Sequence, residues 1–231
     1  MMIMKKRIVF LTGAGMSAES GIPTFRDAGG LWENCSVEDI CTHTAWVMHP
    51  GKLLDFYNAL RRKYMACQPN EGHRLIGSLQ EKYEVEVVTQ NLDSLHEQGG
   101  ARHVTHLHGE IMKCRPDGPD MGVYYPLDPG NPDIHLGDTT PEGVQLRPHI
   151  VFFEEAVPNL ERAARIVQTA DILVIIGTSL VVYPAAGLID YAPAGIPIYL
   201  IDPKPVSAKR NVLQIQKGAS EGMRELIEKY L

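Results

Sequence analysis

The sequence predicts an α/β fold, a doubly wound parallel sheet of Rossmann-like type that carries a small inserted loop-rich and helical subdomain. Short, continuously apolar runs recur along the chain, as strands buried on both faces of a parallel sheet require. Helically spaced segments lie between them, implying right-handed crossovers. Two of the runs end in glycine-bearing turns, at the edge where such sheets bind ligands.

The first run covers residues 7–12 and ends in Gly13-Ala14-Gly15. Runs of the same kind occupy 85–89, 150–153, 172–177 and 198–201. Leu160, Ala163, Ala164 and Val167 share one helix face, and Pro158 opens that helix at a position where its missing N–H costs little. Met223, Leu226, Ile227 and Tyr230 repeat the spacing behind Ser220, read as the N-cap. The expected organisation is a single domain over 1–231, with its core at about 5–30, 84–108 and 148–231. A helical insertion is expected at about 31–83, longer than an ordinary crossover. A second insertion, acidic and Pro-rich, is expected at about 109–147. From Arg115 to Arg147 it holds Pro116, Pro119, Pro126, Pro129, Pro132 and Pro141, with five glycines and six acids. So many turn formers disfavour long helices or strands there.

The net charge of −6 and pI near 5.8 argue against a general nucleic-acid footprint and suit a basic peptide partner. Cys35, Cys41, Cys67 and Cys114 make no C-x-x-C pair, so neither a zinc ribbon nor a disulfide framework is signalled. A reduced, cytoplasmic setting follows as the expectation. The apolar run at the start is too short for a signal-peptide core, and no stretch is long enough to span a membrane.

Gly13-Ala14-Gly15-Met16-Ser17-Ala18-Glu19-Ser20-Gly21 follows the first run; it is either a tight turn or a place where backbone approaches a pyrophosphate. It does not have the G-x-G-x-x-G spacing. Gly21-Ile22-Pro23-Thr24-Phe25-Arg26-Asp27 reads as a lid over a nucleotide or as a surface loop with Phe25 tucked inward. Gln90, Asn91 and Asp93 stand at the carboxyl end of a strand, where they either orient a carboxamide or water, or cap the following helix. His103, His106 and His108 invite a metal reading, but no partner at settled spacing accompanies them, and a single general-base histidine is preferred. A second turn, Gly177-Thr178-Ser179, again offers donors to phosphate. Asp202 ends the last strand, placed to bond a ribose or to cap its own loop.

In this order the segments resemble the sirtuin family of NAD-dependent protein deacylases, from Thr12 to about Ala219 apart from the Pro-rich insertion. The resemblance rests on G-A-G-x-S-x-x-S-G-I-P-x-F-R-D, T-Q-N-x-D-x-L-H, L-H-G-E, R-P-H-I-V-F-F and G-T-S-L-x-V-x-P-A-A. It implies NAD as cofactor and acylated-lysine proteins or peptides as partners. Neither nucleic acid nor membrane is expected to take part, and the oligomeric state is left open. Gly13, Ala14, Gly15, Ala18, Gly177, Thr178 and Ser179 would hold pyrophosphate and ribose, with Asp202 and Ala219 at the adenosine end. Thr24, Phe25 and Arg26 would lie on a mobile cofactor loop. Gln90, Asn91 and Asp93 would form the nicotinamide pocket, Asp93 accepting from the carboxamide. His108 would be the general base, and Asn91 and Asp93 would complete the catalytic set. In the family reaction the acyl oxygen attacks the ribose and expels nicotinamide, and the products are free lysine and an O-acyl-ADP-ribose. Val151, Phe152 and Phe153 would pair with the peptide as an added strand.

Three features depart from the family pattern. Of the cysteines only Cys114 follows L-H-G, so no structural zinc is expected. Phe153-Glu154-Glu155 replaces F-G-E, placing a charged side chain at the substrate edge. Tyr57 is followed at the third place by Leu60 instead of Arg, leaving Arg61 about 100° round the helix. That offset predicts a preference for neutral acyl groups over acidic ones. The competing functions are protein ADP-ribosyl transfer in the same pocket and non-catalytic binding of NAD or ADP-ribose.

Overall fold

The structure, a computed structural model, describes residues 5–24 and 36–231. The expected loop residues Phe25 and Arg26 therefore lie outside the described residues. Six strands form one parallel sheet: β1 (Arg7–Thr12), β2 (Glu84–Thr89), β3 (Val104–His106), β7 (Ile172–Ile176), β8 (Ile198–Ile201) and β9 (Leu213–Ile215). Their order is β3-β2-β1-β7-β8-β9, so the winding reverses between β1 and β7.

Alternation in β1 explains its continuous apolar run. Ile8 and Phe10 enter one core layer with Val85, Val174, Met223 and Leu226. Val9 and Leu11 enter the opposite layer with Ala163, Val167, Leu173 and Leu200. Each fully buried aliphatic or aromatic side chain contributes about 1.5–3 kcal/mol. The helices over these layers are α4 (Glu71–Ser78) and α7 (Ala219–Tyr230) on the first side and α6 (Leu160–Gln168) on the second.

Between β1 and β2 lie α1 (Val37–Ile40), α2 (His43–Met48), α3 (Pro50–Met65) and α4. The short α5 (Leu95–Gln98) follows β2. The Pro-rich stretch lies within a small antiparallel sheet of β4 (Gly109–Pro116), β5 (Tyr125–Pro126) and β6 (Leu146–Ile150), in the order β5-β4-β6. A third core joins this sheet to the helical segment through Trp46, Leu53, Tyr57, Ile111, Ile150 and Phe152.

Three local expectations change. Residues 150–153 are not a strand of the parallel sheet. Ile150 ends antiparallel β6, and Phe153 makes a single parallel bridge to Thr42. Phe152 is buried among Trp46 and Tyr57 while Phe153 is exposed, so the apolar run reflects an aromatic cluster. Helix α7 starts two residues earlier than a Ser220 N-cap implied, with Gly218 at its N-cap, and Ser220 Oγ accepts from Gly72 N instead. Helix α6 starts at Leu160, not beside Pro158, because Asn159 takes the capping position and donates its side chain to His106 O. Among the described residues no helix is long and apolar enough to cross a membrane.

Candidate active site

A cavity of about 710 Å³ opens off the carboxyl ends of β1, β2 and β7, at the reversal of strand order. Its floor is made by two glycine turns locked together. Gly13 N donates to Ile176 O at 3.0 Å, and Gly15 N donates to Gly177 O at 2.9 Å. Gly177 has φ +62, and a methyl there would collide with the Met16 backbone nitrogen; a methyl on Gly15 would sit 2.6 Å from Gly177 Cα. Only glycine lets the turns approach so closely. Their own N–H groups are thus spent on the fold. The backbone N–H groups of Ala14, Thr178 and Ser179, which line the cavity, have no acceptor among the described residues. Bare donors above a glycine cradle suit a pyrophosphate. The residues present therefore fit NAD.

Ala18, Thr24, Gln90 and Asn91 line the same cavity, and Asp202 and Gly218 stand at one end beside Lys204. Ala219 is buried as the first residue of α7. Glu19, which sequence reasoning passed over, lines the cavity and accepts from Ser220 N at 3.1 Å, tying the first turn to α7.

Asn91 is buried and its Nδ2 donates to Ser17 Oγ at 3.1 Å. Ser17 in turn donates to Asp93 Oδ2 at 3.0 Å, and Leu95 N donates to Asp93 Oδ1 at 3.0 Å. Asp93 thus lies beneath the cavity wall, and burial pushes its carboxyl pKa up against these hydrogen bonds. Ser17 was present in the glycine motif, but a small hydroxyl there carries no sign of its partners. Beneath it lie His73 and His96, edge to face at 4.9 Å. His106 holds the other side of Asn91, bonding its carbonyl at 3.0 Å through Nδ1 and Glu97 at 2.9 Å through Nε2. Burial opposes charge on His106, but the Glu97 hydrogen bond and charge outweigh it and raise its pKa.

His108 stands where β2 and β4 meet the cavity. Its Nδ1 donates to Gln90 O at 3.1 Å, which leaves Nε2 unprotonated in the neutral ring. Burial lowers its pKa, against that hydrogen bond. Its own carbonyl accepts from Val151 N at 2.9 Å, so the ring and the 151–154 segment are carried by one backbone link.

Val151, Phe152, Phe153, Glu154 and Glu155 line the mouth beside Tyr57 and Leu60. Arg61 is not with them. It is fully buried on the far side of α3, donating to Ile111 O (2.7 Å), Asn58 Oδ1 (2.7 Å) and Pro132 O (2.9 Å), and burial lowers its pKa to about 10. The one-residue offset from Leu60 turns it into the small antiparallel sheet, where it satisfies carbonyls of the Pro-rich insertion. Among the described residues no three His, Cys, Asp or Glu side chains converge on a metal position.

The buried histidines set a pH expectation. Burial lowers His73 and His149 to about 4 and pushes His96 well below its ordinary value. A base held neutral in the fold contributes stability above its unfolded pKa near 6.5, and that stability is lost as pH falls towards the folded value. His106 has the opposite sign but is a single group. The melting temperature is expected to be on the order of 5–10 °C lower at pH 5 than at pH 7.5. Equal melting temperatures would mean that water reaches these rings.

Comparison with known proteins agrees with this geometry. The family model described as "Sir2 family" matches residues 13–184. An NAD-dependent protein deacylase of Bacteroides thetaiotaomicron is 50% identical over 225 residues, covering 96% of each chain. One of Helicobacter pylori is 43% identical over 228 residues, covering 98% of this chain and 96% of its own. A solved Sir2 homologue in complex with NAD superposes with TM-score 0.83 at 35% identity, covering 97% of this chain and 89% of that one. A Sir2 structure with deacetylated p53 peptide and 3'-O-acetyl ADP-ribose superposes with TM-score 0.80 at 27% identity, covering 98% of this chain and 94% of that one. With its paired glycine turns, its carboxamide-bearing strand end and its histidine at the peptide edge, the chain belongs to the Sir2 family.

Proposed function

We propose that the protein is an NAD-dependent protein-lysine deacylase in which His108 acts as the general base. The observation that carries this reading is the neutral His108 ring, whose Nε2 is left to accept a proton beside both the glycine cradle and the 151–154 segment. NAD, when bound, supplies an electrophilic ribose carbon with nicotinamide as its leaving group. Ala14, Thr178 and Ser179 would hold the phosphates through backbone N–H groups, with Gly13, Gly15 and Gly177 making room for them. Gln90 and Asn91 would orient the carboxamide end. Asp93 would act through Ser17 on Asn91, as a positioning residue, since both its oxygens already accept from protein donors. His108 would accept the proton of a ribose hydroxyl.

The acyl chain would lie against Phe56, Tyr57, Leu60, Leu92 and Phe152, an apolar lining to which Arg61 contributes nothing. An acidic acyl group there would lose hydration without a partner. Mass spectrometry on NAD with matched acetyl-lysine and succinyl-lysine peptides tests both parts. Nicotinamide and O-acyl-ADP-ribose are expected, with the acetyl peptide preferred by at least about tenfold. Faster succinyl turnover would overturn the acyl preference. ADP-ribose retained on protein, without free lysine, would overturn deacylation in favour of transfer.

A further inference from the structure

We infer that Glu154 makes this site selective for acyl-lysines flanked by a cationic residue, a reading that rests on the deacylase function proposed above. Glu154 sits at φ +76, a conformation rare for a residue with a side chain, at the mouth of the cavity. The backbone is held there from both sides. Phe153 N donates to Cys41 O at 2.8 Å and His43 N donates to Phe153 O at 3.0 Å, while Glu155 N returns to Phe152 O. The N–H and C=O of Glu154 itself have no partner among the described residues. A peptide lying across the mouth as an added strand would find one donor and one acceptor at this residue.

The side chain does not block that edge. Its Oε2 accepts from Thr44 N at 2.9 Å and Thr44 Oγ1 at 2.8 Å, which swings the carboxylate against α2 and beside the open backbone. Both hydrogen bonds fall on one oxygen, and the residue is exposed. Its neighbour Glu155 is compensated by Arg147 at 2.7 Å and Arg115 at 3.5 Å. Glu154 has no such ion pair among the described residues. The peptide mouth thus carries a carboxylate that Thr44 and His43 favour but that no Lys or Arg pairs among the described residues, whereas Lys204 lies with Asp202 in the cofactor half of the cavity. Directly opposed side chains on paired strands stand about 4.5–5.5 Å apart, close enough for an opposite charge to be selected and a like charge repelled.

The test measures kcat/KM on acetyl-lysine peptides that carry Arg, Ala or Glu at each position within two residues of the modified lysine. The native protein is expected to prefer the best-placed Arg over Glu by about three- to tenfold at low salt, with the ratio shrinking in high salt. Glu154→Gln keeps an oxygen for the Thr44 donors and removes the charge, so within that variant the ratio is expected to fall to about twofold or less. Because the readout is a ratio between peptides, a lower overall rate in the variant does not disturb it. A flat profile in the native protein, or an unchanged ratio in Glu154→Gln, would overturn the inference while nicotinamide release left the deacylase reading standing. No nicotinamide release from any peptide would overturn the deacylase reading itself.

Discussion

His108→Ala is expected to lower the rate of O-acyl-ADP-ribose formation by about two to four orders of magnitude, the usual contribution of a positioned general base. The native ring is held by Gln90 O on one nitrogen, so its orientation and tautomer are preset and only the proton acceptor is lost in the variant. Peptide affinity is expected to change much less, because Val151 N bonds the His108 carbonyl and not the ring. The same geometry predicts the acid limb of the pH profile. The active form is neutral, and burial lowers the pKa, so kcat/KM should rise with pH through a midpoint below the ordinary histidine value of about 6.5. Turnover of His108→Ala within tenfold of native would exclude the ring as base. An acid limb centred above 6.5 would point to a different titrating group.

The largest stability effect is expected from Arg147→Ala. The Arg147 side chain is fully buried and reaches Glu155 with both terminal nitrogens, at 2.7 and 3.3 Å. Its guanidinium carbon lies 4.1 Å from the Phe152 ring centroid and 5.2 Å from that of Trp46. Glu155 also accepts from Phe152 N at 2.8 Å and meets His43 Nδ1 at 3.1 Å. One arginine therefore ties the small antiparallel sheet to the residues at the peptide edge and to the start of α2. Removing it strands a largely buried carboxylate and empties the space between two aromatic rings, at a cost of about 3–5 kcal/mol. Urea unfolding of both proteins measures it, and a difference under about 1 kcal/mol would show that Arg115 and water replace the guanidinium. Burial alone would raise the Glu155 pKa, but the Arg147 hydrogen bond and charge lower it. A carboxylate with a lowered pKa contributes stability above its unfolded value near 4.3, lost as pH falls through the folded value. That acid-sensitive contribution is expected to disappear in the variant.

Much of the sheet was legible because burial on both faces demands an unbroken apolar run. Ile8, Val9, Phe10 and Leu11 have to satisfy two cores at once, and few alternatives give that pattern. The glycine turns were legible for a similar reason, since Gly15 and Gly177 stand where a side chain would meet backbone. The short strands β3 and β9 escaped notice, being three residues each and carrying too little periodicity to register. Residues 150–153 misled because an aromatic cluster and a buried parallel strand demand the same hydrophobicity.

By itself the sequence determined the fold class, the family and the residue types at the cavity, because short-range patterns and motif spacing record what each segment must bury or expose. It also contained the changes at Glu154 and Leu60, but not their consequences. Which way Arg61 points, which oxygens of Asp93 are already taken and whether Glu154 blocks or borders the peptide edge were decided only in three dimensions. Each depends on a hydrogen-bond partner remote in the chain: Ile111 and Pro132 for Arg61, Ser17 for Asp93, and Thr44 for Glu154. Local spacing fixes the direction in which a side chain leaves the backbone, whereas its final partner is set by whatever the fold brings within about 3 Å.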